Sequence, residues 1–340
     1  MRITILLAAM VLNLARPGSA AELKGSDLHS AASYSAARRG LSLLVIQNGK
    51  VLLSEYSNGS SATAPHKIYS GTKGFWVLAA MAAQEDGLLR LDERVGDTLP
   101  EWRQDPRKTQ VTLRELLSFT SGLDAEFHLH SDQVPDRDAA ALRVPCVAAA
   151  GESFIYGPAA LQVFHELLKR KLAPSGLTPT VYLERKVLRP LGLGAQIYRT
   201  DRAGNPLLAS GFELTAEQWA RMGRLILRGG APVVNGRSLA QCLQGTKANP
   251  GFGMGFWNNR AAADPEAREF DIENMLERAR PQQNWRKTCL CRVAPPDLVA
   301  AIGSGYQRLF VIPSLDLIVV RQGTDAQFSD SAFLRLLLGR

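Results

Sequence analysis

Two apolar runs, LSLLVIQ (41–47) and VLLSEY (51–56), meet across Asn48-Gly49 near the start of the chain. Asn-Gly favours the left-handed backbone of a tight turn, so the pattern predicts a hairpin with strands at 41–47 and 51–56. A second hairpin is predicted near the end, with strands at 307–312 and 317–322 around Pro313-Ser314-Leu315-Asp316, followed by a helix over Ala332 to Leu338. An alanine-rich polar segment, Asp27 to Arg38, reads as a helix ahead of the first hairpin. Between the hairpins the periodicity is helical. Lys73 to Asp86 is an apolar helix stopped at Gly87. Thr112-Leu113-Arg114-Glu115 has capping-box form before Leu116-Leu117, with Ser121-Gly122 ending that short helix. Two further helices are predicted at 158–171 and 215–228, and the charged segment 258–287 as a long exposed loop.

Strands at both ends with helices between them predict an α+β protein, not an alternating βαβ run. The antiparallel sheet is assembled from the two chain ends: 22–68 and 245–340 form an α/β part, and 69–244 an inserted helical part. No internal repeat is seen.

Composition changes this picture only at the N-terminus. The chain has 340 residues, 46% of them hydrophobic, enough to bury a sizeable core and exclude disorder. Arg2, the apolar stretch Ile3 to Leu14 and the small residues Gly18-Ser19-Ala20-Ala21 have the form of a cleaved secretory signal over 1–20. An uncleaved anchor is the alternative, although the stretch is shorter than the roughly 18–20 apolar residues of a membrane span. The expectation is therefore a secreted or periplasmic protein. In an oxidising compartment the four cysteines allow one bridge, from Cys289 or Cys291 to Cys146 or Cys242. The net charge of +8 is scattered, and no nucleic-acid motif accompanies the short run Lys169-Arg170-Lys171.

The candidate chemistry lies in KIYSGTKGFWVLAAM (67–81). Ser70 and Lys73 stand three positions apart at the head of an apolar helix, which puts hydroxyl and amine on one face. A serine hydroxyl needs a base, and burial can leave a lysine amine neutral enough to serve. The helix N-terminus supplies N–H groups, that of Ser70 among them, where an oxyanion would form, and Gly71 leaves room for substrate.

Further landmarks follow in order, and with them the chain resembles the serine hydrolases of the class C β-lactamase, penicillin-binding protein and esterase group. YSGTKGFWVLAAMAAQEDGLLRLDERVGDTLPEW is similar to that group's nucleophile helix, VTLRELLSFTSGL to its T-[IL]-R-x-L-L-x-H-T-S-G-L segment, and GFELTAEQWARMGRLILRGG to its late helix. The resemblance implies a β-lactamase/transpeptidase-like fold and an acyl-enzyme on Ser70. It also implies that Tyr156, in FIYGPAALQVF, moves protons with Lys73, although Gly157-Pro158 replaces the family's asparagine. Gly303-Ser304-Gly305-Tyr306-Gln307 resembles the G-x-x-G-Q form of the 6-aminohexanoate-dimer hydrolase and esterase branch. By that likeness the Ser304 N–H completes the oxyanion hole, and Gly303, Gly305 and Gln307 border the substrate. No third-motif lysine is present to hold a carboxylate, which implies ester or small-amide hydrolysis ahead of strong β-lactamase activity. A penicillin- or cell-wall-peptide-binding protein that does not turn its ligand over is the rival reading.

Other constellations are missing. No serine sits in G-x-S-x-G, and no H-E-x-x-H or phosphate-binding glycine loop occurs. His128-Leu129-His130 with Asp132 reads as loop chemistry and His165 as a structural histidine. The expected substrate is a small molecule, with no cofactor, metal or nucleic acid.

Overall fold

The computed structural model describes residues 21–273, 285–324 and 326–340. The expected signal segment, 1–20, lies outside them. The helices that frame the site are α1 (Gly25–Ala37), α2 (Lys73–Glu85), α3 (Leu113–Leu117), α4 (Ala159–Leu172), α5 (Ala216–Leu227) and α6 (Asp330–Leu338). The main sheet is built from β1 (Gly40–Gln47), β2 (Lys50–Tyr56), β3 (Trp257–Asn258), β4 (Val299–Gly303), β5 (Gln307–Ile312) and β6 (Leu317–Gly323).

Its strand order is β2-β1-β6-β5-β4-β3, so the first hairpin joins the last strand of the chain. All pairings are antiparallel, with Leu44 opposite Val320 in the β1–β6 seam and Val320 opposite Leu309 in the next. This is the α+β sheet expected from the two chain ends. Asn48 and Gly49 take the left-handed backbone (φ 50° and 74°) that their dipeptide predicted.

Strands β5 and β6 are buried along their whole length, because helices cover both faces. α1 packs on β1 and against α6, while α5 lies along β6, β5 and β1. The α5 approach is close: a Cβ at Gly223 would stand 2.6 Å from Ile318 Cγ2. α5 therefore belongs to the layers around the sheet. Its start is a capping box, Thr215 with Gln218, as is that of α3, Thr112 with Glu115. α3 ends earlier than expected, at Ser118, where Phe119 turns left-handed at φ 57°.

One further expectation is corrected. The segment 258–287 is not a uniformly exposed loop, since Ala267, Ile272 and Trp285 are buried in it; residues 274–284 lie outside the described ones. No disulfide forms, and all four cysteines are free. They sit on separate elements: Cys146 lies beside the Ser121 carbonyl, Cys242 is sealed in a helix, and Cys291 faces the Ser331 carbonyl. Among the described residues no helix is long and apolar enough to cross a membrane.

Candidate active site

Ser70 sits in a 3-10 turn, Tyr69–Thr72, that runs directly into α2. Tyr69, just ahead of it, is left-handed at φ 44°, a conformation that costs a bulky residue energy and turns the chain sharply before Ser70. Behind the turn every residue of α2 from Lys73 to Ala83 is buried, so Lys73 enters the interior with it and is only 2% exposed. Its Nζ lies 2.7 Å from Ser70 Oγ and donates to the Ala209 carbonyl at 2.8 Å. Among the described residues it has no ion pair, so nothing offsets the loss of water, and burial pushes its pKa down to about 7.

The segment that carries the Ala209 carbonyl is tied to the turn by two hydrogen bonds that the sequence did not disclose. The Ile68 N–H donates to the Phe212 carbonyl, and the Phe212 N–H donates to Thr72 Oγ1, which draws 209–212 alongside the turn.

Tyr156 stands on the other side of the amine, with Lys73 Nζ 4.8 Å from its ring centre. Its ring is packed by Phe119 at 5.2 Å and by Phe252 and Trp257 at 6.0 and 6.1 Å between centroids. This apolar wall pushes the phenol well above its ordinary pKa, while Ser70 beside it pulls the other way and the Glu273 charge adds to the rise. Burial thus favours the phenol over the phenolate form of Tyr156. Gly157 follows because a Cβ there would stand 2.4 Å from the Ala125 carbonyl oxygen, and Pro158 opens α4.

The end of β4 comes close to the nucleophile. A Cβ at Gly303 would be 2.0 Å from the Ile68 carbonyl oxygen and 3.2 Å from the Ser70 nitrogen, so only glycine lets the strand approach. Ser304 then turns at the strand end, and Gly305 and Tyr306 continue in left-handed backbone at φ 69° and 60°.

Ser70, Lys73, Tyr156 and Ser304 are brought together on one cavity of about 360 Å³. Gly71, Gly303, Gly305 and Gln307 are not among its lining residues. Gly71 faces Trp219, 2.6 Å from where its Cβ would be. Gln307 is buried and joined to backbone on both sides, to the Gly305 carbonyl at 2.9 Å and from the Gly323 N–H at 3.2 Å. This corrects the expectation that Gln307 borders the substrate: its amide ties the turn to the end of β6.

The wall also holds Phe127, which sequence reasoning passed over, and His130, which it read as loop chemistry. Burial holds the His130 imidazole down at about 4, with the Lys73, Arg199 and Arg137 charges adding to it, so the ring is neutral. Nothing in the local pattern marks it, since its placement follows from the 3-10 turn Phe127–His130 folding toward α2. His165 does not line the cavity and is satisfied by Asp138 at 2.8 Å. Among the described residues no group of histidine, cysteine and carboxylate side chains could hold a metal ion.

The sequence pattern of the Beta-lactamase family matches residues 21–320. Protein flp of Staphylococcus aureus is 30% identical over 97 residues, which is 26% of this chain and 20% of its own length. The chain thus spans only a fifth of that relative. Among solved structures, EstCE1, described as a hydrolase with promiscuous acyltransferase activity, superposes with a TM-score of 0.66 at 19% identity, covering 92% of this chain and 76% of the other. The class C β-lactamase of Rhodobacter sphaeroides superposes with 0.65 at 19% identity, covering 93% and 99%. At such identities these two likenesses establish the fold.

Proposed function

The chain belongs to the Beta-lactamase family, and from that premise we propose that it is an exported serine hydrolase acting through a Ser70 acyl-enzyme on a small, uncharged ester or amide. The observation that carries this reading is the Lys73 amine: buried, without an ion pair among the described residues, and 2.7 Å from Ser70 Oγ.

In acylation Ser70 Oγ attacks the carbonyl carbon as its proton passes to the neutral Lys73 amine. The carbonyl electrons move onto oxygen, and the Ser70 and Ser304 N–H groups stabilise that charge. When the tetrahedral adduct collapses, the bond to the leaving group breaks. Tyr156, held as a phenol, donates its proton to that group and is restored from the Lys73 ammonium. In deacylation water attacks the ester carbonyl, losing a proton to Lys73, and Ser70 Oγ recovers one as the acid departs.

The cavity supports the choice of substrate. Its volume suits a small ligand. With His130 neutral, Lys73 is, among the described residues, the only basic side chain on the wall that can carry charge, and the mechanism needs it neutral. Among the described residues no fixed cation lines the cavity to grip a carboxylate, as recognition of a penicillin would require.

The test is hydrolysis of a p-nitrophenyl ester and of a chromogenic cephalosporin by the mature protein beside Ser70→Ala. Ester turnover should fall by at least about 10⁴-fold in the variant with its thermal unfolding unchanged, and the cephalosporin should react slowly in either. Full ester turnover in Ser70→Ala would refute the mechanism. A stable adduct on Ser70 without turnover would favour a binding protein.

A further inference from the structure

We propose that Glu273 is a positioning residue for the oxyanion hole, holding the turn after β4 so that the Ser304 N–H faces the reacting carbonyl. This rests on the Ser70 reading above and adds to it a carboxylate from a segment with no resemblance to a catalytic motif. Its Oε1 accepts from the Gly305 N–H at 2.6 Å and its Oε2 from the Tyr306 N–H at 3.3 Å. These are the two residues immediately after Ser304, and both are left-handed. Tyr306 adopts that backbone without the freedom of glycine, so the conformation needs an outside tie.

The carboxylate is itself anchored. Arg308, with no exposed side-chain surface, donates to Glu273 Oε2 at 3.1 Å, to Asp330 Oδ1 at 2.7 Å and to the Gly303 carbonyl at 3.0 Å. One guanidinium thus joins the residue before Ser304 to the carboxylate that holds the two after it. Ser304, which lines the cavity, is gripped from both sides. An oxyanion donor acts only if its N–H is already aimed when charge develops, and a displacement of about 1 Å is enough to lose most of its effect. The geometry therefore places Glu273 in control of the turnover step rather than of substrate binding.

The test uses the mature chain and its E273A, E273Q and S70A variants. The readouts are kcat and KM for p-nitrophenyl acetate and the rate at which a fluorophosphonate modifies Ser70, followed by intact mass. E273A should lose roughly 10- to 100-fold in kcat and in modification rate while KM stays within about twofold. E273Q keeps an acceptor for the Gly305 N–H but sets its amide nitrogen against the Tyr306 N–H and Arg308, so it should recover only part of the loss. A purely structural residue would lower the unfolding temperature without separating kcat from KM. Rates for E273A within about twofold of the parent would overturn the proposal and leave the serine mechanism standing; turnover surviving in S70A would sink both. If E273A does not fold, E273D takes its place: its side chain is too short to reach both N–H groups, so rates for E273D within about twofold of the parent would also overturn the proposal.

Discussion

Lys73 and Arg308 are both sealed from water, 2% and 0% exposed, and both border the stretch of backbone where the nucleophile turn meets β4. They have opposite surroundings. Arg308 is met by two carboxylates and the Gly303 carbonyl, so its charge is matched and the guanidinium locks the turn. Lys73 is met by a hydroxyl and a carbonyl, with no carboxylate to repay the lost hydration. A buried cation with counter-charges is a fastener, whereas one without them gives up its proton readily and becomes a base. The same protein interior yields either, depending on what faces the charge.

Exchanging each cation for an apolar side chain of similar length breaks the comparison most sharply. Lys73→Met should cost about 10⁴-fold in ester turnover, measured beside the parent. The same substitution should raise stability. The Lys73 pKa is about 7 folded against 10.5 as its ordinary value, so the folded chain binds fewer protons between those limits. The parent's stability therefore rises with pH across that window and carries its full penalty below pH 7, on the order of 5 kcal/mol. Denaturant unfolding of Lys73→Met at pH 6 should show a gain of that sign, shrinking toward pH 10; a loss would mean that the amine is compensated.

Arg308→Met should go the other way. It removes the guanidinium that pairs with both Asp330 and Glu273, and unfolding should show a loss of about 3–5 kcal/mol. Neutral stability would mean that the network is not a fastener.

The mildest probe is pH. If neutral Lys73 is the base, kcat/KM for an ester should rise about tenfold per unit below pH 7 and level off above it. A profile flat from pH 5 to 8 would assign the proton to another group. His130 does not confuse this window, since its own titration lies near 4.

The hairpins were legible because their information is local: Asn48-Gly49 carries its own left-handed turn, and alternating or continuous apolar runs define strands without reference to partners. The capping boxes at Thr112 and Thr215 are equally short-range. The expected residues that meet at the cavity, Ser70, Lys73, Tyr156 and Ser304, were reached through ordered motifs, each marked by its own neighbours. Gln307 was misjudged by the same route, because a motif position does not say which way a buried amide turns.

What only the tertiary structure decided is everything that depends on distant segments meeting. The sequence by itself determined the two hairpins, the buried helix behind Ser70 and the serine–lysine spacing, since these follow from backbone preference and periodicity within a few residues. The partnership of Ala209 with Lys73, of His130 with Lys73 on the cavity wall and of Glu273 with Gly305 in the turn after β4 joins residues 136, 57 and 32 positions apart. No local preference encodes them. Their effect is electrostatic, set by which groups face one another once water is excluded, and that arrangement exists only after the chain has folded.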